Sequence, residues 1–187
     1  MKTTLSLLLA CLFTFGMLSA APVDSTTIMH HSIGISGSSI TGFGVAYRYN
    51  FDNQWYAKTV GALYYTEDSD SRSDFYSFIG LELQRNFIQT PSTRLYGFAG
   101  TSYWYNMSES SYTSAGVTTV YTSKEHTMNI GAGVGFELSI WEHFGVNFDF
   151  GFQYAGIQHP STTTTESSLR SSSRSGMGGG IGFGYQF

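Results

Sequence analysis

The tightest grouping of reactive side chains in the sequence is His159-Pro160-Ser161 with Glu166 downstream. A histidine can take the proton of a serine hydroxyl while a carboxylate orients the imidazole, which makes the serine a nucleophile for acyl transfer. Proline between the two interrupts the alternation that would put both side chains on one strand face. The surrounding stretch, rich in serine and threonine, reads as a polar loop. A second group, Glu67, Asp68, Asp70 and Asp74, offers the hard oxygens that calcium takes. It lacks the glycine and terminal glutamate of an EF-hand loop, so a solvated acidic loop is the plainer reading. His30 and His31 are adjacent and, in a strand, point to opposite faces, which leaves them no shared metal. Neither a metal site nor a cofactor is expected.

Five further charges, Arg48, Lys58, Glu82, Glu137 and Asp149, are far apart in sequence. They matter for the phase on which they fall. In "GVNFDFGFQYAG", Val146, Phe148, Phe150, Phe152 and Tyr154 lie on one face, against Asn147, Asp149, Gly151, Gln153 and Ala155. "MNIGAGVGFELSI" and "TGFGVAYRYNF" repeat the pattern, and successive strand residues project to opposite faces. Each of the five charges sits on the small or polar phase. No stretch after residue 20 carries a helical period. Eight strands are expected, over 26–35, 40–51, 55–67, 75–87, 93–106, 127–141, 145–157 and 177–187. The facing of the first and fifth is ambiguous. Apart from "SGSS", short connections alternate with long polar ones.

The first residues set the compartment. Lys2, an apolar run from Leu5 to Leu18 and Ala20 before Ala21-Pro22 read as an export signal over 1–20, leaving a single domain over 21–187. Cys11 is the only cysteine and leaves with that segment, so no disulfide or thiolate chemistry is expected. A formal net charge of −4 argues against nucleic acid as a partner.

Alternation alone also suits a soluble sandwich with its apolar face inward. Three features favour lipid as the solvent of that face. The other phase carries glycines and a few opposite charges, which suits a narrow lumen where the charges can pair; a salt-bridged plug is expected there, with a narrow pore as the alternative. Aromatics gather at both ends of the strands, with Phe51, Trp55, Phe87, Trp141, Phe144 and Phe187 at one end. Tyr64, Tyr65, Phe75, Tyr103, Trp104, Tyr105 and Tyr154 are at the other, a distribution that fits two interfacial girdles. Finally, "IGFGYQF" alternates to its last residue. Ile181, Phe183, Tyr185 and Phe187 form the outer row of a closing strand, because an open edge in hydrocarbon leaves backbone groups unpaired.

That terminal pattern resembles the assembly signal of bacterial outer-membrane barrels. "GFGVAYRYNFDNQW", "VGALYYTEDSDS", "LYGFAGTSYWYN" and "GAGVGFELSIWEHFGVNFDFGFQY" resemble successive strands of the small OmpX/Ail group. The first hairpin is shorter than in that group, and the Ser/Thr-rich fourth loop departs from it. The expectation is therefore an all-β, eight-stranded antiparallel up-and-down transmembrane barrel in a Gram-negative outer membrane, with loops outside and termini in the periplasm. The resemblance implies a non-enzymatic surface protein for adhesion, host interaction or envelope integrity. Its implied partners are membrane lipid and lipopolysaccharide, the barrel-assembly machinery through the last strand, and a host protein or glycan through the loops, with the barrel itself a monomer. A lipid A deacylase built on His159, Ser161 and Glu166 is the rival reading.

Overall fold

The computed structural model describes residues 29–187 apart from 53, 69–71, 115–116, 142 and 163–166. The expected leader at 1–20 lies outside the described residues, as do Asp70 of the acidic group and Glu166. Eight strands follow in order: β1 (His31–Ser38), β2 (Gly42–Asn50), β3 (Trp55–Asp68), β4 (Arg72–Gln89), β5 (Thr93–Ser114), β6 (Val117–Trp141), β7 (Phe144–Thr162) and β8 (Ser167–Gln186). Each pairs antiparallel with the next, and β1 pairs with β8 to close the ring.

Closure is made by Ser32↔Gln186 through Ser38↔Gly180, and His31 and Phe187 exchange a pair of backbone hydrogen bonds below it. Partners traced once round the ring run from Met177 through Phe152, Ala132, Ala99, Leu83, Ala57, Tyr49 and His31 to Phe187. That is a stagger of ten residues (187 − 177), which tilts the strands by about 35–45° in a ring of this size. Short turns connect the strands at the end where both described termini lie. In one, Asp52 Oδ1 accepts from the N–H groups of Gln54 and Trp55 at 3.2 and 2.9 Å, an Asx turn that starts β3.

The alternating phases sort as the barrel requires. Ile33, Ile35, Leu81, Ile130, Phe150 and Ile181 face out and are exposed, while Ser32, Ser36, Lys58, Glu82, Glu137 and Asp149 are buried inside. The facing of β1 and β5 is thereby resolved: Ser32, Ser36 and Ser38 point inward, and so do Arg94, Tyr96, Phe98 and Ser102.

Strand limits differ from the sequence-based expectation mainly at the long-loop end. The stretch expected to loop between the fifth and sixth strands is a continuous ladder to Ser114↔Val117, and β7 and β8 stay paired to Thr162↔Ser167, straight through Pro160. Beyond the membrane both faces of a hairpin are wet. The alternation that marks a strand then disappears, while Thr, Tyr and Val keep favouring extended backbone. Of the expected first strand at 26–35, residues 26–28 lie outside the described residues, 29–30 are not in strand, and β1 continues past 35 to Ser38. Ile40 and Thr41, expected in the second strand, belong instead to the turn at 39–41, and both are fully buried.

That turn depends on Gly42, whose φ of 80° lies in the left-handed region and whose Cα faces the Phe78 ring. Gly42→Ala combines backbone strain with overlap onto Phe78, at an expected cost on the order of 2–3 kcal/mol. A lower urea midpoint in lipid vesicles, with the native electrophoretic mobility shift retained at low urea, is the expected result.

Candidate functional site

The lumen holds one connected polar network, and Glu137 is its hub. Arg48 grips that carboxylate with both terminal nitrogens, Nη2 donating to Oε1 at 2.9 Å. Arg94 Nη2 donates to Oε2 at 2.6 Å, and Gln186 Nε2 donates to Oε1 at 2.7 Å. Lys58 Nζ bridges Glu82 at 3.0 Å and Asp149 at 3.4 Å. Tyr96 donates its hydroxyl to Asp149 Oδ1 at 2.6 Å, and Asn147 donates to the other oxygen at 3.2 Å. The cations Arg48, Lys58 and Arg94 thus face the carboxylates Glu82, Glu137 and Asp149, leaving the network neutral. Neutrality and dense hydrogen bonding are what offset the desolvation of so many charges.

All five sequence-derived luminal charges meet here. Arg94 was missed, although it does as much as any of them. Its guanidinium lies 4.2 Å from the centroids of both Tyr56 and Tyr96, and also donates to Asn86 and Gln84. β5 carries aromatics on both phases, so its inward row could not be told apart by hydrophobicity. The one available signal was the position of Arg94 two residues before Tyr96 at the start of the strand.

Above the network the buried turn closes the lumen. Ile40 packs with Tyr96 and Phe98, its carbonyl accepts from Ser102 Oγ at 2.8 Å, and Thr41 Oγ1 donates to Glu82 at 3.1 Å. Below this apolar cap the charged layer packs the inner half of the lumen, leaving beside Arg48 and Asn147 a void of about 30 Å³.

The aromatic girdle needs two corrections. Tyr64 shares the inward phase of Lys58 and lines the lumen, and Trp104 is not on the lipid face either. It packs inside against Phe78 at 4.8 Å between centroids, with Nε1 donating to Ser102 Oγ. In β5, Tyr103 faces out, so its neighbour Trp104 must face in. Trp55 lies on the outside at the short-turn end, 5.5 Å from the Arg85 guanidinium, and Trp141 ends β6 opposite Phe144. Ile181, Phe183, Tyr185 and Phe187 all face out, with Tyr185 set between the rings of Phe144 and Phe187.

The other candidate groups are dispersed. His159 and Ser161 pair with Arg170 and Ser168 in the β7–β8 ladder, in strand rather than in the expected loop. His31 Nδ1 is 2.7 Å from the Tyr47 hydroxyl, and His30 Nδ1 is 3.1 Å from the Asn50 carbonyl. In the acidic segment, Asp74 accepts from Arg72 Nε at 3.1 Å, and no metal-sized cluster of ligands occurs among the described residues.

A closed ring of eight strands, apolar outside and polar and charge-paired inside, is a transmembrane β-barrel of the bacterial outer-membrane type. No family model and no curated protein matches the chain. Among solved structures it is similar to Ail, the attachment invasion locus protein of Yersinia pestis, at 17% identity over 84% of this chain and 97% of that one, with a TM-score of 0.41. It is also similar to a major outer membrane protein from Thermus thermophilus (11% identity, 84% and 98% covered, TM-score 0.48). A third is the N-terminal β-barrel domain of OprF from Pseudomonas aeruginosa (15% identity, 85% and 98% covered, TM-score 0.40). The likeness is one of barrel architecture.

Two outcomes follow from this geometry. Glu137→Ala strands two buried guanidinium groups and should cost on the order of 3 kcal/mol, read as a lower urea midpoint. The exposed Lys124→Ala should stay within about 0.5 kcal/mol of the parent. At the outer end, the hydroxyl of Ser108 and then Arg72 hold the Asp74 carboxyl below its usual range. Its contribution to stability is therefore complete above the ordinary aspartate pKa and is lost as pH falls through the lowered one. In an NMR titration the Asp74 midpoint should move up in Ser108→Ala.

Proposed function

We propose that this barrel is a non-enzymatic surface protein of the outer membrane whose extended hairpins are its working part. The observation that carries this reading is the height of the β5–β6 ladder. Pairing continues from Tyr103↔Met128, the last strongly apolar outward pair, to Ser114↔Val117. At roughly 3.3 Å per residue that is about 35 Å of strand in water. Serine, threonine and tyrosine dominate it, giving hydroxyl donors and acceptors beside aromatic area, a combination suited to a protein or glycan partner. The paired lumen makes the stem rigid and gives it no path for solute.

On this reading the barrel is a monomer. Its last strand, with Ile181, Phe183, Tyr185 and Phe187 outward, is the segment that the assembly machinery engages, and lipid with lipopolysaccharide is its surround. His159 and Ser161 take no part in hydrolysis.

The test compares cells displaying the full chain with cells in which 107–124 is replaced by a short Asn-Gly hairpin. Adhesion to epithelial cells or survival in serum should fall at least tenfold, with unchanged surface level. Equal adhesion and survival would refute the reading. Two further outcomes are expected of the full chain: an unchanged lipid A mass spectrum in expressing cells, and no reproducible single-channel conductance in planar bilayers.

A further inference from the structure

The wall of the barrel is incomplete at one place. β1 stops pairing with β8 at Ser38↔Gly180, yet β8 extends back to Ser167. β2 pairs with β3 only from Val45↔Gly61, yet β3 runs on to Asp68. Above the β1–β2 turn the edges of β3 and β8 therefore face each other with no strand of described residues between them. The notch is flanked by Leu63 on β3 and Met177 on β8, at 77% and 71% the most exposed large apolar side chains among the described residues. Met177 pairs with Phe152, so the notch opens within the apolar band and not above it.

A cavity lies directly behind it. It measures about 490 Å³, occupies the outer half of the lumen above the Ile40 cap, and is walled by Phe78, Trp104, Tyr64 and Tyr76. Outside, a lipid-facing groove runs over Ile35, Val45, Leu63 and Phe183. Phe43 and Ala62 line both. Phe43 is 52% exposed, while its ring stacks on Phe78 at 5.7 Å and meets Trp104 edge-on at 5.5 Å. Gly44, at φ 141°, lets β2 approach the Gly61 carbonyl where a Cβ would collide with it. Inside the cavity, Asn106 Oδ1 and Gln153 Oε1 are buried without a hydrogen-bond partner, and Arg174 stands on its wall.

We propose that this notch is a lateral portal through which an acyl chain of an outer-leaflet lipid enters the lumen. The site is open to hydrocarbon, so the molecule that fills it comes from the membrane. Its aromatic wall receives the chain. The unpaired amide oxygens suit hydroxyl or amide N–H donors of the same lipid, and Arg174 suits its phosphate. Ala62 is the small residue that leaves the passage open, and Phe43 is the gate leaf.

The test uses Trp104 as reporter. Full-length barrel carrying Trp55→Phe and Trp141→Phe is placed in nanodiscs of phosphatidylcholine brominated along its acyl chains. Bromine quenches indole only at close range, so a luminal tryptophan reached by the chain should lose at least half its emission. Ala62→Phe, and the milder Ala62→Leu, should restore emission at least twofold, while Phe43→Ala should deepen the quenching; native mobility confirms that each variant is folded. Equal quenching in the parent and in the folded Ala62 variants would mean the bromine acts through the wall, and the portal would be wrong. Quenching by aqueous acrylamide but not by bromolipid would place the opening on the external water side and overturn the proposal equally.

Discussion

Hydrocarbon offers nothing to a free backbone N–H or C=O, and each one left unpaired there costs several kcal/mol. The seam between β1 and β8 is where this chain meets that condition, with Ile33, Ile35 and Gly37 set against Tyr185, Phe183 and Ile181. Once the ring must close at eight strands, much else follows. The two ends of the described chain come to one side of the membrane, the outer phase of every strand must be apolar, and the enclosed space is too narrow to stay empty.

What fills that space is decided by electrostatics. Three cations and three carboxylates enter the lumen, and each finds an opposite charge within 3.4 Å. The arrangement ties strands that are not neighbours, since Arg48 on β2 reaches Glu137 on β6, and Lys58 on β3 reaches Asp149 on β7. Cross-lumen bonds of this kind brace a barrel in a way that neighbour-to-neighbour ladders do not. The Ile40 turn adds an apolar cap, so the half of the stem below that cap is closely packed.

Outside the bilayer the backbone condition relaxes, and the wall changes character accordingly. Strands β5 to β8 continue as hairpins because water tolerates their edges and their Ser/Thr faces. At β1 and β2 the wall stops early, inside the apolar band, and there the free edges of β3 and β8 border the luminal cavity in place of a partner strand. That asymmetry comes from the short first hairpin, whose turn bends inward at Ile40 instead of continuing upward.

Much of this was legible in the residues alone. Period two in "GVNFDFGFQY" separates a lipid row from a luminal row before any partner is known, because the pleat gives each phase one face. By the same logic Arg48, Lys58, Glu82, Glu137 and Asp149 fall on the inner phase. Partner choice was not legible: that Glu137 takes two arginines and Lys58 bridges two acids depends on stagger and curvature, which are properties of the closed ring. Arg94, Trp104 and Ile40 escaped for related reasons. β5 is aromatic on both phases, and a turn that folds inward leaves no periodic trace. The polar outer ladders were hidden as well, since a strand wet on both faces is specified by its paired neighbour rather than by its own pattern. The sequence thus determined which faces meet lipid and which meet each other, through local alternation. Tertiary structure alone decided the charge pairing, the inward cap and the gap in the wall, because those depend on which strands close around the lumen and at what register.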